Sequence, residues 1–252
     1  MSIGRLIVRM CLAAALAAGA GAALLWFQPD WLLDWLARRY PGCLYRVAQE
    51  RSFVALTLDD GPDSTTPLIL DELRRHSARA TFFLISSEVA GREAVVQRIV
   101  SEGHELGNHG TRDRAAILLP DDEFVRDITE ARRTLGRFGP VRWARPGSGW
   151  YSQEMVHALG RTGHRCALGS VYPFDAAIPS TRFSGRHILA NTRPGAVIVL
   201  HDGPARGRRT LAVLQEILPE LRARGYRVVT LSELSRLPSP SRRQRNVPGL
   251  TS

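Results

Sequence analysis

The chain has 252 residues, of which 44% are hydrophobic and 23% charged, a balance typical of a globular protein and not of a disordered one. Its net charge of +10 lies mainly at the ends: residues 1–49 carry five arginines against two aspartates, residues 236–252 carry four arginines, and +3 remains for residues 50–235. Basic terminal segments more often contact a membrane surface or an anionic wall, so we expect no nucleic-acid partner. Lysine is absent, which excludes lysine-based catalysis.

An uncharged, alanine-rich run of 18 residues occupies positions 10–27 and follows Arg5 and Arg9. At about 1.5 Å per residue, a helix of this length just spans a hydrocarbon core. One interpretation of residues 1–28 is a cleaved signal peptide, with small residues at 18–22 as cleavage sites. The other, which we favour, is a retained anchor with a cytoplasmic N-terminus. Either way, the domain that follows is expected outside the cytoplasm, membrane-anchored or secreted.

Residues 29–49 read as a juxtamembrane linker. Within it, residues 31–36 have the pattern of a short amphipathic helix on a membrane surface, although the segment could instead pack on the domain. The chain has three cysteines, and a Cys43–Cys166 disulfide is possible if the domain is exported. The oligomeric state stays open.

From residue 53 onward, short apolar runs alternate with helical patterns. Strands are predicted at 53–58, 80–85, 105–107, 141–144, 165–170, 196–200 and 226–231. Helices are predicted at 67–76, 92–102, 121–137, 152–162, 180–190 and 208–224. This α/β alternation predicts a parallel sheet, open or closed, in one domain over residues 50–235, followed by a disordered basic tail at 236–252.

Polar clusters fall directly after several of these strands. In parallel α/β folds the chemistry lies at the carboxyl ends of the strands, so the clusters are candidate site residues. Asp59 and Asp60 follow the first strand; they could form only a turn, but adjacent carboxylates suit a metal site in which one binds the ion and the other acts as a base. His104, before the strand at 105–107, is expected to be structural.

A second cluster contains His109 and Asp113. If this segment is helical, the four-residue spacing puts both side chains on one face, where they could share a metal with Asp60. The predicted metal ligands are therefore Asp60, His109 and Asp113.

Two further clusters suggest an acid and an oxyanion site. Arg145 stands in a tight loop beside Gly147 and Ser148, where it could keep Asp59 ionised while backbone N–H groups meet a developing oxyanion. His201 ends a buried strand and is predicted to be a general acid.

Four of these segments, in order, resemble the motifs of the polysaccharide deacetylases of carbohydrate esterase family four, in particular a chitin-deacetylase-like subgroup. They are TLDDGP at 57–62, NHGTRD at 108–113, RPGSG at 145–149 and IVLH at 198–201. The resemblance covers about residues 50–233 and implies a distorted, seven-stranded (β/α) barrel.

The resemblance also implies a metal-dependent hydrolase that removes N-acetyl groups from N-acetylglucosamine-containing glycans such as chitin or peptidoglycan. It implies Asp59 as the base, Asp60 and His109 as metal ligands, Arg145 as the residue that positions Asp59, and His201 as the acid. The implied cofactor is one divalent ion, zinc by family.

The sequence departs from the family pattern at three places. Position 113 is Asp where His is commoner, which should open the site to manganese or cobalt. Ser148 stands where an aromatic residue is usual. The fourth motif is matched only weakly by YPFDA at 172–176, in which Asp175 could orient His201. A glycan-binding relative with little or no activity is therefore the alternative, and binding driven by the terminal arginines is the third hypothesis.

Overall fold

The computed structural model describes residues 18–19, 21–24 and 26–238. Its strands are β1 (Cys43–Leu44), β2 (Phe53–Asp59), β3 (Ala80–Leu84), β4 (Glu105–Asn108), β5 (Val141–Ala144), β6 (Arg165–Ala167), β7 (Val197–His201) and β8 (Arg227–Val229). Its α-helices are α1 (Asp30–Arg39), α2 (Thr66–Arg75), α3 (Glu93–Ser101), α4 (Asp121–Leu135), α5 (Gln153–Arg161), α6 (Thr181–Asn191), α7 (Gly207–Ala223) and α8 (Leu231–Arg236).

All of these strands belong to one parallel sheet. The order along the sheet is β1-β6-β5-β4-β3-β2-β7, and β8 pairs with the first residues of β2. An isolated parallel bridge between Val171 and Ile198 connects the chain after β6 to β7, so the sheet curls back on itself. The predicted distorted (β/α) barrel, with seven strands along its main path, is confirmed.

The strand β2 is the centre of the barrel wall. All seven of its residues are buried, as expected for a parallel strand covered on both faces. It pairs with β7 on one side and with β8 and then β3 on the other, and the register sets Asp59 opposite both Phe83 and His201. This register brings Asp59 and His201, at the carboxyl ends of β2 and β7, to one rim of the barrel.

The helices cover the outside of the barrel through one apolar face each. The largest core cluster joins strand residues such as Leu56 and Phe82 to Leu73 of α2 and Leu214 of α7. Each fully buried side chain of this size stabilises the fold by about 2 kcal/mol. The helices predicted from the apolar periodicity of the sequence therefore correspond to helices that each bury one apolar face.

Two strands end earlier in the structure than the sequence predicts. The strand at 165–170 ends at Ala167, because Gly169 takes a positive φ of 143° and its backbone lies against the side chain of Val199. The strand at 226–231 ends at Val229, because Thr230 caps α8 in a capping box with Glu233.

The N-terminal linker packs on the barrel and is not a separate unit. The helix α1 buries Leu33, and Arg46 binds Asp34 of that helix at 2.7 Å. The short β1 was not predicted; it pairs with β6 so that Cys43 lies opposite Cys166. Both thiols are free, with their sulfur atoms 3.0 Å apart. The predicted anchor lies largely outside the described residues, within which no helix is long and apolar enough to cross a membrane.

Candidate active site

Asp59 and Asp60 stand where β2 ends, and both are almost fully buried. The backbone of Asp60 has a positive φ of 72°, which is rare for a non-glycine residue. This turn sends two consecutive carboxylates to different partners, Asp59 to Arg145 and Asp60 to His109 and Arg206. Backbone strain of this kind is more common at functional sites than elsewhere.

Arg145 follows β5 and is buried beside Asp59. Its Nη1 donates to Asp59 Oδ1 at 2.5 Å and to Thr57 Oγ1 at 3.0 Å, while Nε donates to the carbonyl of Ala167 at 3.0 Å. The guanidinium also lies over the ring of Phe83, 4.2 Å from its centre. Its Nη2 is buried without a hydrogen-bond partner among the described residues. The predicted contact between Arg145 and Asp59 is therefore present, and one buried donor is left over for a ligand.

His109 follows β4 and faces Asp60. Its Nδ1 donates to the carbonyl oxygen of Arg145 at 2.8 Å, since a carbonyl can only accept. In a neutral imidazole, Nε2 is then an acceptor, yet it lies 3.3 Å from Asp60 Oδ1, which is also an acceptor. Such a facing pair is stable only with a proton or a metal cation shared between the two atoms. Asp60 and His109 therefore present two lone-pair atoms that can both bind one divalent cation.

The electrostatics of this pair follow from burial among charges. Burial opposes ionisation of Asp60, but the hydrogen bond from His109 and the positive charges of His109, His201 and Arg206 lower the pKa of this carboxyl to about 2. Burial likewise opposes the charged form of His109, and the negative charges of Asp59 and Asp60 nevertheless raise its pKa. Asp60 is therefore an anion at any physiological pH.

Asp113 does not join these two residues. The segment after His109 is a bend and not a helix, so the premise that put both side chains on one helix face is wrong, and Asp113 is exposed. Among the residues that the structure describes, no group of three His, Cys, Asp or Glu side chains could hold a metal. The cation site thus has two of its three predicted ligands in contact, and Asp113 as the third stays a prediction.

His201 ends β7 and is held by Asp175. The Nδ1 atom lies 3.0 Å from Asp175 Oδ1, and the backbone N–H of His201 donates to the same carboxylate at 3.0 Å. Burial disfavours the imidazolium, but the hydrogen bond and charge of Asp175, with the charges of Asp59 and Asp60, raise the pKa of His201 above its usual value. The predicted contact between Asp175 and His201 is therefore present, despite the weak motif around Asp175.

The loop after Arg145 places Gly147 and Ser148 at the rim. A side chain on Gly147 would collide with the carbonyl of Arg114, so only glycine fits this close approach. Ser148 has a positive φ of 64° and is exposed. Trp150 follows two residues later and is 71% exposed. Its exposure on this rim was not predicted, because Trp150 lies outside the RPGSG motif at 145–149.

Two more residues of the site were not predicted from the sequence. Arg206, just before α7, donates from Nη1 to Asp60 Oδ2 at 2.5 Å. Asp202 is fully buried and accepts from Thr66 Oγ1 at 2.6 Å, and burial raises its pKa to about 8. The only sequence signal for either was position, because both follow the strand that carries His201.

Comparisons with known proteins identify the family. The polysaccharide deacetylase family matches residues 46–167. A peptidoglycan-N-acetylglucosamine deacetylase of Bacillus cereus is 35% identical over 197 residues, which cover 76% of this chain and 92% of that protein. A chitooligosaccharide deacetylase of Azorhizobium caulinodans is 35% identical over 202 residues, covering 72% of this chain and 93% of that protein. The chain belongs to the polysaccharide deacetylase family.

Solved structures agree with this assignment. A crystal structure of a peptidoglycan N-acetylglucosamine deacetylase superposes with a TM-score of 0.74 and 29% identity, covering 81% of this chain and 96% of that one. A carbohydrate esterase family 4 pseudoenzyme from Bacillus anthracis superposes with a TM-score of 0.71 and 25% identity, covering 77% and 69%. The fold is thus similar both to a deacetylase and to a pseudoenzyme.

Proposed function

We propose that this protein is a metal-dependent N-deacetylase of N-acetylglucosamine-containing glycans such as peptidoglycan or chitin oligosaccharides. One observation carries the proposal. The buried Asp59–Arg145 pair lies at the carboxyl end of β2, the His201–Asp175 pair lies at the adjacent carboxyl end of β7, and Asp59 and His201 are register partners. A base and an acid on neighbouring strand ends can serve the two proton transfers of amide hydrolysis.

The chain's own residues divide the reaction between them. Asp59 takes the proton of the attacking water, and Arg145 binds and orients the Asp59 carboxylate. His201 gives a proton to the amide nitrogen as the C–N bond breaks, so the products are acetate and a free amine on the sugar. Asp175 holds His201 Nδ1, which leaves Nε2 as the donating atom. Backbone N–H groups near Ser148 and Gly147 stabilise the oxyanion.

Asp60 and His109 are the residues that would hold the divalent cation. When bound, the ion polarises the acetamide carbonyl and acidifies water. Zinc is the expected ion from the family resemblance, with manganese or cobalt favoured if Asp113 contributes a third, hard oxygen ligand.

The test is acetate release from chitin oligosaccharides and from peptidoglycan by the purified protein. We expect release that stops with a chelator, returns with added Zn²⁺, Mn²⁺ or Co²⁺, and falls about 10²–10⁴-fold in Asp59→Asn. This variant keeps the shape of the side chain and removes the base together with the negative charge that pairs with Arg145. No release from either glycan with any ion would contradict the proposal.

A second candidate is a glycan-binding protein without activity. Two observations favour it: the absence of a third ligand beside Asp60 and His109 in the described residues, and the structural likeness to a pseudoenzyme. Against it stand the buried base and acid pairs, because a binding protein gains nothing from two buried ion pairs that are costly to desolvate. Glycan binding with no acetate release would favour this candidate.

We also propose that the catalytic domain is extracytoplasmic and attached to the membrane through residues 1–28. The support in the described residues is the outer face of α1, which exposes Trp31, Trp35, Arg38 and Arg39 at helical spacing. Tryptophan and arginine together are the usual composition of a helix at a lipid headgroup layer.

A further inference from the structure

A cationic side chain contacts the carboxylate that the proposed metal would need. Arg206 Nη1 lies 2.5 Å from Asp60 Oδ2, and His109 Nε2 lies 3.3 Å from the other oxygen of the same carboxylate. Both oxygens of Asp60 are therefore engaged, one by the guanidinium and one by the second proposed ligand.

The backbone holds Arg206 at this position. The loop between β7 and α7 lies so close to Asp60 that a side chain on Gly203 would collide with the Asp60 Cβ, and one on Gly207 would collide with Thr65. The N–H of Arg206 donates to the carbonyl of Gly203 at 3.0 Å, which fixes the turn. About a third of the Arg206 side chain is exposed, so it can turn toward solvent without a shift of this backbone.

A guanidinium and a divalent cation at one carboxylate oppose each other. Both gain from the negative charge of Asp60, and two positive charges a few ångströms apart repel each other strongly in a partly buried site. An ion that binds Asp60 and His109 must therefore displace the guanidinium or bind next to it against its charge.

We propose that Arg206 competes with the divalent cation for Asp60 and so sets the metal affinity of the site. The proposal rests on the metal-dependent function proposed above. In the absence of metal, Arg206 neutralises Asp60 and keeps the loop in place. When metal binds, the exposed part of the side chain swings toward solvent and leaves Asp60 to the ion.

The experiment is calorimetric measurement of the dissociation constants of Zn²⁺ and Mn²⁺ for the chelator-treated full chain. The variants are Arg206→Gln, which removes the charge, and Arg206→Lys, which retains it. The matched control is Arg208→Gln. This substitution removes the same charge from an exposed arginine two residues away that does not contact Asp60. Circular dichroism verifies folding, and Arg206→Met replaces Arg206→Gln if that variant does not fold.

We expect Arg206→Gln to bind the ions at least about tenfold more tightly than the wild type, Arg206→Lys to bind nearly as weakly as the wild type, and Arg208→Gln to change affinity less than about threefold. Equal affinities in Arg206→Gln and Arg208→Gln overturn the proposal, as does an absence of metal binding in every variant. Acetate release measured on the same samples separates the two ideas: release with unchanged metal affinity contradicts only the role of Arg206, and no release contradicts the proposed function.

Discussion

Buried charge is the main feature of this protein at the scale of single residues. Asp59 and Arg145 each expose about 3% of their side chains. Such a pair costs several kcal/mol in lost hydration, and well-packed apolar residues would often stabilise the fold as much. A buried ion pair at the end of a strand is therefore better explained by chemistry than by stability.

Asp175 is expected to tune His201 without touching the substrate. In Asp175→Asn the carboxylate that raises the pKa of His201 is lost, so this pKa should fall. A general acid works only below its pKa, so the alkaline limb of the profile of kcat/KM against pH should move to lower pH. A lower rate with an unmoved alkaline limb would indicate a purely structural role for Asp175.

Position 113 decides whether the cation has a third ligand. If Asp113 reaches the ion, Asp113→His should shift the preference of the site from manganese or cobalt toward zinc, because imidazole is a softer ligand than carboxylate. Acetate release and metal affinity with each ion measure this preference. A zinc preference that the substitution leaves unchanged would count against Asp113 as a ligand.

Trp150 is expected to bind the glycan. Its exposed indole beside the Gly147–Gly149 turn offers a large apolar surface at the rim of the site. Trp150→Ala should raise KM for chitin oligosaccharides by about tenfold with a smaller change in kcat, the pattern of lost uniform binding. Trp35→Ala, which removes another exposed tryptophan, this one from α1, is the control and should leave KM unchanged.

Among the elements, α1 has two faces with different partners. Leu33 packs against the barrel and Asp34 binds Arg46, while Trp31 and Trp35 face outward. An exposed pair of tryptophans is costly in water unless another apolar phase covers it. If residues 1–28 form the proposed anchor, this face is where the domain would meet the lipid headgroups.

Tryptophan fluorescence tests the orientation of α1. In vesicles of anionic brominated lipids that hold the full chain, bromine should quench Trp31 and Trp35. Trp31→Phe/Trp35→Phe should remove most of this quenching, and Trp150→Phe should leave it unchanged. Equal quenching in the wild type and the double variant would show that α1 lies away from the bilayer.

The stability of the whole molecule should depend on pH through two buried histidines. Burial lowers the pKa of His104 to about 4 and that of His164 to about 4. The neutral ring of His104 accepts from the N–H of Ala80, and that of His164 lies between Asn108 and Thr162. Both rings therefore connect core strands only while they are uncharged.

The sign of the effect follows from the depressed pKa values. Above about pH 6.5 both rings are neutral in the folded and unfolded states, and neither costs stability. As pH falls to 4 the unfolded chain takes up protons that the folded chain resists, so each histidine should lower the free energy of unfolding by about 3 kcal/mol at pH 4.

Denaturant unfolding at pH 7 and pH 4 measures this loss. His104→Asn, whose side-chain oxygen can still accept from Ala80, should lose less stability on acidification than the wild type. His157→Asn is the control, because His157 is exposed. The prediction for His104 fails if both variants lose as much stability as the wild type.

The sequence by itself determined the alternation of strands and helices, the parallel barrel and the strand-end positions of Asp59, His109, Arg145 and His201. Local patterns suffice there, because apolar periodicity sets each element and parallel strands bring their carboxyl ends to one rim. Even Asp175, which stands in a weak motif, could be proposed as a partner of His201.

Only the tertiary structure decided which charged side chains contact one another. Asp113 was placed beside His109 by assuming a helix, but the chain bends there and leaves this residue exposed. Arg206 lies 146 positions from Asp60 along the chain and reaches it only because β2 and β7 are neighbours. Contacts between side chains on separate loops depend on backbone angles and loop packing, which residue type and spacing do not encode in any local pattern.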